Sequence, residues 1–396
     1  MTEGNPRKAQ QIQGEPGLRS LAPPIYPATV YCCDSPQQAS DLLAGEIDGF
    51  VYSRDGHPNS DMLAARCAEL HHADHAAITG SGMAALALAI TAHLKQGDHV
   101  VVSHQLYGRS LALFTSEIER MGIGSTQVDT NNLDAVQSAV TSATRFLITE
   151  TISNPMLHVA DLRALAKIAH DHNTLLLVDN TLASPVLCRP LTLGADLVVE
   201  SITKIMNGHS DVILGCLCGM RSSWERVALA ATTWGLFASP IECWLGMRGM
   251  ATLSLRMERA SATALALAEQ LAGHRAITAV HYPGLTERTD HQLATRQLAT
   301  GIGNPGYGNM LTIELAGGYD AAERFIRSVT PEIPFCPSLG ELTTTLSHPE
   351  TTSHREMNPE QLRAVGITGG TIRLSIGIES ADSILAALER GLQTKA

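Results

Sequence analysis

Residues 175–218 decide the fold, and they read LLLVDNTLASPVLCRPLTLGADLVVESITKIMNGHSDVILGCLC. Three apolar runs lie in this stretch, at 175–178, 197–199 and 213–218. Unbroken apolar runs of this length are typical of strands that a parallel sheet buries on both faces. The stretch therefore predicts the centre of a mostly parallel sheet in an α/β protein.

The same alternation continues towards the N-terminus. Further apolar runs lie at 100–102 and 146–149, and helical patterns lie at 84–94, 111–121 and 162–170. Beyond residue 252 a long helical pattern at 253–271 leads to apolar runs at 310–315 and 372–376 and to a last helix at 382–392. We predict an N-terminal arm (1–57), a large α/β domain (58–252) and a smaller C-terminal α+β domain (253–396).

Composition narrows the function classes. The chain has 396 residues, 44% hydrophobic residues and a net charge of −11, so a disordered protein is excluded and binding to nucleic acid or an anionic membrane is disfavoured. No apolar run approaches the roughly 18 residues of a membrane span, and residues 1–17 show no apolar signal-peptide core. We expect a soluble cytoplasmic protein with reduced cysteines.

Polar residues follow three of the apolar runs, at 150–155, 179–185 and 201–204. Ligands of doubly wound sheets bind at the carboxyl ends of the strands. Lys204 in SITK suits a Schiff base to an aldehyde, although a surface lysine fits the same pattern. Asp179 after a buried run needs a cation, such as a protonated pyridine nitrogen, unless it caps a helix or binds a metal.

Three more positions have candidate roles. GSGM at 80–83 opens a helix whose free N–H groups can bind a phosphate. Tyr107 can lie over a planar cofactor, or be an ordinary half-buried tyrosine. Arg373 stands in an apolar run and needs an anion, either a substrate carboxylate or a structural carboxylate partner.

Nine short motifs occur together in a recognisable order and spacing. They are YSR (52–54), SGM (81–83), YG (107–108), SNP (153–155), DNT (179–181), TK (203–204), NGHSDV (207–212), SLG (338–340) and RLS (373–375). On these motifs the chain resembles the pyridoxal 5'-phosphate (PLP) enzymes of cysteine and methionine metabolism, which include cystathionine γ-synthases, cystathionine lyases and methionine γ-lyases. The resemblance implies fold type I of the PLP-dependent transferases, a small amino-acid substrate and a homotetramer built as two dimers.

The resemblance also implies a role for each matching residue. Lys204 would form the Schiff base with PLP and move protons, Asp179 would pair with the pyridine nitrogen, and Tyr107 would stack on the ring and assist proton transfer. The other cofactor-binding residues would be Gly82, Met83, Thr181, Ser201 and Thr203, with Tyr52 and Arg54 reaching the phosphate of a neighbouring subunit. The substrate-binding residues would be Asn154, Ser338 and Arg373.

Two departures from the family pattern bear on the substrate. Many relatives have a glutamate before SLG, where it engages a distal amino group such as that of cystathionine; this chain has Pro337. Methionine lyases often have a cysteine two residues after the tyrosine; this chain has Arg109, which would favour an acidic or acylated substrate.

Despite Arg109, we expect α,γ-elimination of methionine or a related sulfur amino acid to 2-oxobutanoate, ammonia and a thiol. Three alternatives stay open. They are γ-replacement on an O-acylhomoserine by a cystathionine γ-synthase or sulfhydrylase, cleavage of cystathionine by a lyase, and a non-catalytic protein that binds on the PLP fold.

Two clusters resemble metal sites, but we expect no metal. HHADH at 71–75 is more typical of a solvated helix end, and CLC at 216–218 places two thiols on one side of a buried strand.

Overall fold

A computed structural model describes residues 20–303, 306–330 and 332–393. Within these ranges a seven-stranded sheet has the order β1-β7-β6-β5-β4-β2-β3. Its strands are β1 (His75–Thr79), β2 (His99–Ser103), β3 (Gly124–Val128), β4 (Thr144–Glu150), β5 (Leu175–Asp179), β6 (Leu197–Glu200) and β7 (Gly215–Gly219). Strand β7 runs antiparallel to the other six strands, which are parallel to one another. The carboxyl ends of β4, β5 and β6 therefore meet at one edge.

The large sheet is covered on both faces. Val101 and Val178 belong to one buried apolar cluster, and Val100 and Leu177 belong to another, because successive side chains of a strand point to opposite faces. The helices before residue 252 are α1 (Pro36–Ala44), α2 (Pro58–His71), α3 (Gly82–His93), α4 (Gly108–Ala112), α5 (Leu133–Ala139), α6 (Leu162–Asp171), α7 (Ser184–Leu187), α8 (Val227–Trp234) and α9 (Pro240–Met250).

A second, antiparallel sheet follows α10 (Leu253–Leu271). Among the described residues it has four strands in the order β10-β11-β9-β8. They are β8 (Ile277–His281), β9 (Met310–Leu315), β10 (Thr345–Ser347) and β11 (Thr371–Ser375). The helices of this part are α11 (His291–Gln297), α12 (Gly318–Val329), α13 (Pro359–Ala364) and α14 (Ala381–Leu392). Its apolar core is separate from the two clusters that flank the large sheet.

The predicted fold class is confirmed, with corrections to individual elements. The helix expected at 111–121 begins at Gly108 and continues as a π-helical turn at Leu113–Glu117. The strand expected at 213–218 begins only at Gly215, and the side chain of Ile213 is 61% exposed. The boundaries of the arm and the two domains stay a prediction, and residues 1–19 of the arm lie outside the described residues.

The HHADH segment is not a solvated helix end throughout, which corrects our expectation. His71 closes α2 with no exposed surface, and His75 opens β1. In CLC, Cys216 and Cys218 are both buried with their sulfurs 3.9 Å apart, as predicted. Over the described ranges, no group of three or more His, Cys, Asp or Glu side chains is arranged to hold a metal ion.

No helix in the described part of the chain is long and apolar enough to cross a bilayer.

Candidate active site

A cavity of about 1100 Å³ lies at the carboxyl edge of the large sheet, next to residues of the second sheet. It is lined by side chains that come from widely separated motifs. The predicted site residues around it are Gly82, Met83, Tyr107, Asn154, Asp179, Thr181, Ser201, Thr203, Lys204, Ser338 and Arg373. The structure thus brings together every predicted site residue except Tyr52 and Arg54.

Lys204 lies in the turn that follows β6. Its Nζ donates a hydrogen bond to Ser338 Oγ at 2.9 Å. Burial lowers the pKa of the Lys204 amine, Arg373 lowers it further, and Glu341 opposes that change. A lowered pKa raises the fraction of neutral amine, which is the form that attacks an aldehyde.

Asp179 ends β5 beneath the cavity. Its Oδ1 accepts a hydrogen bond from the backbone N–H of Thr181 at 3.0 Å. Burial raises the pKa of Asp179, and the hydrogen bonds from Thr181 oppose that change. In the described part of the chain no arginine, lysine or histidine forms an ion pair with this carboxylate, so it is available to a cationic ligand.

Glu150 is a site residue that our sequence analysis placed in a segment but gave no role. It ends β4 beside Asp179, and its Oε1 accepts a hydrogen bond from the backbone N–H of Tyr107 at 2.7 Å. Burial, followed by the charge of Asp179, raises the pKa of Glu150 well above its usual range. Its sequence signal is the same as that of Asp179, an acidic residue at the end of an apolar run.

The start of α3 faces Ser201 across a narrow gap. Ser81 Oγ accepts the N–H of Ala84 at 3.0 Å, whereas the N–H groups of Gly82 and Met83 have no acceptor within the helix. A Cβ on Gly82 would lie 2.8 Å from the Cβ of Ser201, so only glycine leaves this approach open. The result is a small pocket of hydroxyl and amide donors at a helix N-terminus, which suits a phosphate.

Two threonines connect this pocket to the sheet. Thr181 Oγ1 accepts the backbone N–H of Ser201 at 2.9 Å. Thr203 Oγ1 donates to the carbonyl of Leu214 at 3.0 Å and accepts the N–H of the same residue at 2.9 Å. The hydroxyl of Thr203 is therefore already engaged with β7 and its neighbouring loop.

Arg373 enters the cavity from β11. Its guanidinium donates to Asn154 Oδ1 at 2.9 Å and to the carbonyl of Ser338 at 2.8 Å, and its Nε is buried with no partner. Burial lowers the pKa of Arg373 to about 10. No carboxylate of the described residues forms an ion pair with this buried cation, so the position suits the carboxylate of a ligand.

Tyr52 and Arg54 lie on the exposed arm and do not line the cavity. The Arg54 guanidinium lies 5.3 Å from the centre of the Tyr52 ring, and its Nε is 3.9 Å from Asp55. An antiparallel backbone β-bridge pairs Tyr52 with Val30. Within one chain these two side chains contact each other rather than the site.

The two residues that depart from the family pattern both line the cavity. Pro337 precedes Ser338 and presents no charge or donor. Arg109 Nη2 lies 3.0 Å from Glu356 Oε1. The guanidinium that the sequence offered as a site for an acidic or acylated substrate is therefore already paired with a carboxylate of the chain. No sequence signal identifies Glu356, because it is 247 positions away from Arg109.

The residues present fit PLP. An unpaired buried carboxylate suits the pyridinium, a glycine-dependent donor pocket suits the phosphate, and a partly desolvated lysine suits the aldehyde. Each feature sits on a different segment, yet all three border one cavity. The carboxylate, the pocket and the lysine therefore match the pyridinium, the phosphate and the aldehyde of the cofactor.

Comparisons with known proteins agree with this chemistry. Residues 8–393 match the family described as Cys/Met metabolism PLP-dependent enzyme. An L-methionine gamma-lyase of Fusobacterium nucleatum subsp. polymorphum is 38% identical over 377 residues, which is 94% of each chain. An O-succinylhomoserine sulfhydrylase of Pseudomonas aeruginosa is 36% identical over 368 residues, covering 93% of this chain and 90% of that protein.

Comparison with a solved structure shows that the similarity includes the backbone fold. The crystal structure of cystathionine gamma synthase from Xanthomonas oryzae pv. oryzae, in complex with aminoacrylate and cysteine, superposes with a TM-score of 0.89. It is 33% identical and covers 99% of this chain and 98% of its own.

Proposed function

Since this chain belongs to the family of Cys/Met metabolism PLP-dependent enzymes, we propose that it catalyses the α,γ-elimination of methionine or a closely related sulfur amino acid. Methionine and water would give 2-oxobutanoate, ammonia and methanethiol. Family membership confirms the predicted enzyme class and the predicted cofactor, PLP. The choice of substrate and of elimination over replacement is our proposal.

One observation carries the proposal: Lys204, Asp179 and Arg373 border the same cavity, each with a shifted pKa caused first by burial. The three groups match the three requirements of amino-acid chemistry on PLP, which are an amine for the aldehyde, an anion for the ring nitrogen and a cation for the substrate carboxylate. We assign these roles to them on that basis.

When bound, PLP would supply an electron sink that lets a proton leave the α-carbon of an amino acid. Asp179 holds the proton on the pyridine nitrogen. The Lys204 amine would take the α-proton, release it again, and only then take a β-proton, since its lowered pKa favours the neutral form that accepts protons. Arg373, fixed by Asn154 and Ser338, binds and orients the substrate carboxylate.

We also assign Tyr107 a role in the departure of the leaving group. Its backbone N–H is anchored by buried Glu150, while its side chain lines the cavity and is 38% exposed. We assign the Tyr107 ring to stacking on the cofactor and its hydroxyl to protonating the departing sulfur. Gly82, Met83, Thr181, Ser201 and Thr203 complete the proposed cofactor site.

The identity of the residue before Ser338 supports a thioether substrate. Pro337 lies beside Ser338 in the cavity wall and offers nothing that binds a distal ammonium. An apolar site discriminates one methylene by only about 10–200-fold, so methionine would share the site with close analogues.

The deciding experiment measures release of 2-oxo acid from methionine, cystathionine, cysteine, homocysteine and two O-acylhomoserines. We expect the highest kcat/KM with methionine. A higher kcat/KM with cystathionine would contradict the argument from Pro337.

A second candidate is γ-replacement on an O-acylhomoserine. Arg109 and Arg355 at the cavity supply positive charge, and a relative named as an O-succinylhomoserine sulfhydrylase is 36% identical. Product analysis with and without an added thiol separates the two reactions, because replacement consumes the thiol and releases no ammonia.

We also propose a cytoplasmic homotetramer built from two dimers, with Tyr52 and Arg54 completing the phosphate site of the partner subunit. The support is that the arm exposes Tyr52 and Arg54 away from the cavity of their own chain. The acidic composition and eight free cysteines support the compartment.

A further inference from the structure

Arg109 and Glu356 form an ion pair between two walls of the cavity, and we call it the mouth pair. Arg109 lies in the first turn of α4, and Glu356 lies in the segment between β10 and α13. Two contacts join them, Nη2 to Oε1 at 3.0 Å and Nη1 to Oε2 at 3.4 Å. Both oxygens of the Glu356 carboxylate are therefore in contact with the Arg109 guanidinium.

The two walls are in direct contact beside the mouth pair. A Cβ on Gly108 would lie 2.8 Å from the carbonyl oxygen of Ser353, so the start of α4 packs closely against the Glu356 segment. Arg355 Nη2 lies 3.9 Å from Glu356 Oε1 and adds a second positive charge. Both members of the pair line the cavity.

The mouth pair is exposed enough to exchange partners. The side chains of Arg109 and Glu356 are 53% and 61% exposed, and exposed ion pairs stabilise a fold very little. A substrate with a distal carboxylate must displace Glu356 to reach Arg109. A neutral γ-substituent displaces nothing, because it forms no ion pair with Arg109.

We propose that the mouth pair is a specificity determinant that makes the site select amino acids with an uncharged γ-substituent, because Glu356 occupies the guanidinium that would otherwise bind an acidic one. This inference rests on the proposed function, since it assumes that the γ-substituent of the substrate points towards Arg109. It assigns Glu356 the function of masking an anion site.

The test compares two esters with the same reacting bond, O-succinylhomoserine with a distal carboxylate and O-acetylhomoserine without one. In the Glu356→Gln variant we expect the ratio of kcat/KM for the succinyl over the acetyl ester to rise about tenfold, the gain from one hydrogen bond to a charged group.

A second variant and a matched control show whether Arg109 is the cause of the change in the ester ratio. Arg109→Gln combined with Glu356→Gln should cancel the gain, because the guanidinium is then absent. Glu332→Gln breaks another exposed pair, Arg390–Glu332 at 2.7 Å, that does not line the cavity, and it should leave the ratio unchanged. Where an ester is not turned over, its dissociation constant, measured from the change in cofactor absorbance, is compared between variants in place of kcat/KM.

An unchanged ratio in Glu356→Gln, or a gain that persists in the double variant, would overturn the inference. The two esters keep this test separate from the proposed function. Wild-type enzyme that releases no 2-oxo acid from methionine would overturn the proposed function, while the ester ratio would still show whether Glu356 masks Arg109.

Discussion

Burial moves the pKa values of three site residues in directions set by their charge type. It lowers the pKa of the Lys204 amine and of the Arg373 guanidinium, and it raises the pKa of the Asp179 carboxyl. Each shift favours the neutral form, because a charged group loses hydration in the protein interior. A ligand that supplies the missing opposite charges favours the ionised forms of Asp179 and Arg373, so binding and ionisation are linked.

We predict that Lys204→Ala loses the visible-edge absorbance of the protein-bound cofactor and lowers kcat by roughly 10²–10⁴-fold or more, since the base and the covalent anchor are both removed. Borohydride reduction followed by peptide mapping measures the anchor directly. Lys167→Ala is the matched control, because this exposed lysine pairs with Asp171 on the surface. Label on any other lysine of the wild-type protein would disprove the assignment.

Asp179→Ala should collapse both cofactor affinity and turnover. Removing one partner of a buried charge pair costs roughly 3–5 kcal/mol, because the remaining charge is left unpaired. Cofactor affinity is measured by titrating the apoprotein with PLP, and Asp171→Ala serves as the control that removes an exposed carboxylate. Near-normal affinity and turnover in Asp179→Ala would show that another group serves the ring nitrogen.

At the scale of elements, a second buried pair ties α2 to the end of β6. His71 Nε2 lies 3.4 Å from Glu200 Oε1, neither side chain is exposed, and Asn180 donates to the same carboxylate at 2.9 Å. Burial raises the pKa of Glu200 to about 7, and His71 opposes that change. The residue after Glu200 is Ser201, so this pair supports the turn that carries the site.

The raised pKa of Glu200 fixes the sign of its pH dependence. Between the ordinary value of 4.5 and about 7 the folded state binds more protons at this carboxyl than the unfolded state does. The contribution of Glu200 to the free energy of unfolding therefore falls as pH rises through this window.

His71→Leu should destabilise the fold more at pH 8 than at pH 5. At pH 5 Glu200 is largely protonated and gains little from His71, whereas at pH 8 the ionised carboxylate loses the contact with His71 that opposes the rise of its pKa, which costs roughly 1–3 kcal/mol. Urea unfolding at the two pH values measures the difference. His170→Leu is the control, because His170 pairs with Asp196 at the surface at 3.0 Å. Equal losses at both pH values would contradict the assignment.

Sequence periodicity predicted buried elements better than edge elements. The run at 100–102 became the centre of β2, and α10 spans the predicted residues 253–271, because apolar spacing records burial directly. The edge strand β3 was missed, since its sequence GSTQV is mostly polar and partly exposed. Strand β1 was missed because its histidine and alanines carry little strand propensity.

The residues of the site also divide into those that the sequence could predict and those that it could not. Lys204 and Asp179 were predictable because they follow apolar runs whose carboxyl ends meet at one edge. The pairing of Arg109 with Glu356 was not predictable, because the two residues are 247 positions apart. Distance in sequence hides such pairs until the fold is known.

For the whole molecule, the arm and the region around α8 and α9 leave large apolar side chains uncovered. They are Leu21, Ile25, Val30, Leu43, Ile47, Leu229, Trp234, Phe237, Ile241 and Leu255. Exposed apolar side chains in such numbers are typical of surfaces that associate. The proposed dimer would cover them and bring Tyr52 and Arg54 to a partner's site.

We predict that two inactive variants complement each other. After subunit exchange, Arg54→Ala mixed with Lys204→Ala should recover about a quarter of wild-type activity, because half of the dimers are hybrid and each hybrid has one intact site. Lys204→Ala mixed with Asp179→Ala should recover nothing, since both residues belong to the same chain's site. Absence of recovery in the first mixture would mean that each chain completes its own site.

The packing of Gly340 has a consequence for synthesis of the chain. A Cβ there would lie 2.5 Å from the backbone N of Ile205, so the segment that carries Ser338 seats directly on the turn that carries Lys204. Residues 338–340 and 373 leave the ribosome long after residue 204 does. A nascent chain that stops short of Arg373 would contain Lys204 without the arginine proposed to bind the substrate carboxylate. The enzyme would therefore become active only after nearly all of the polypeptide has been made.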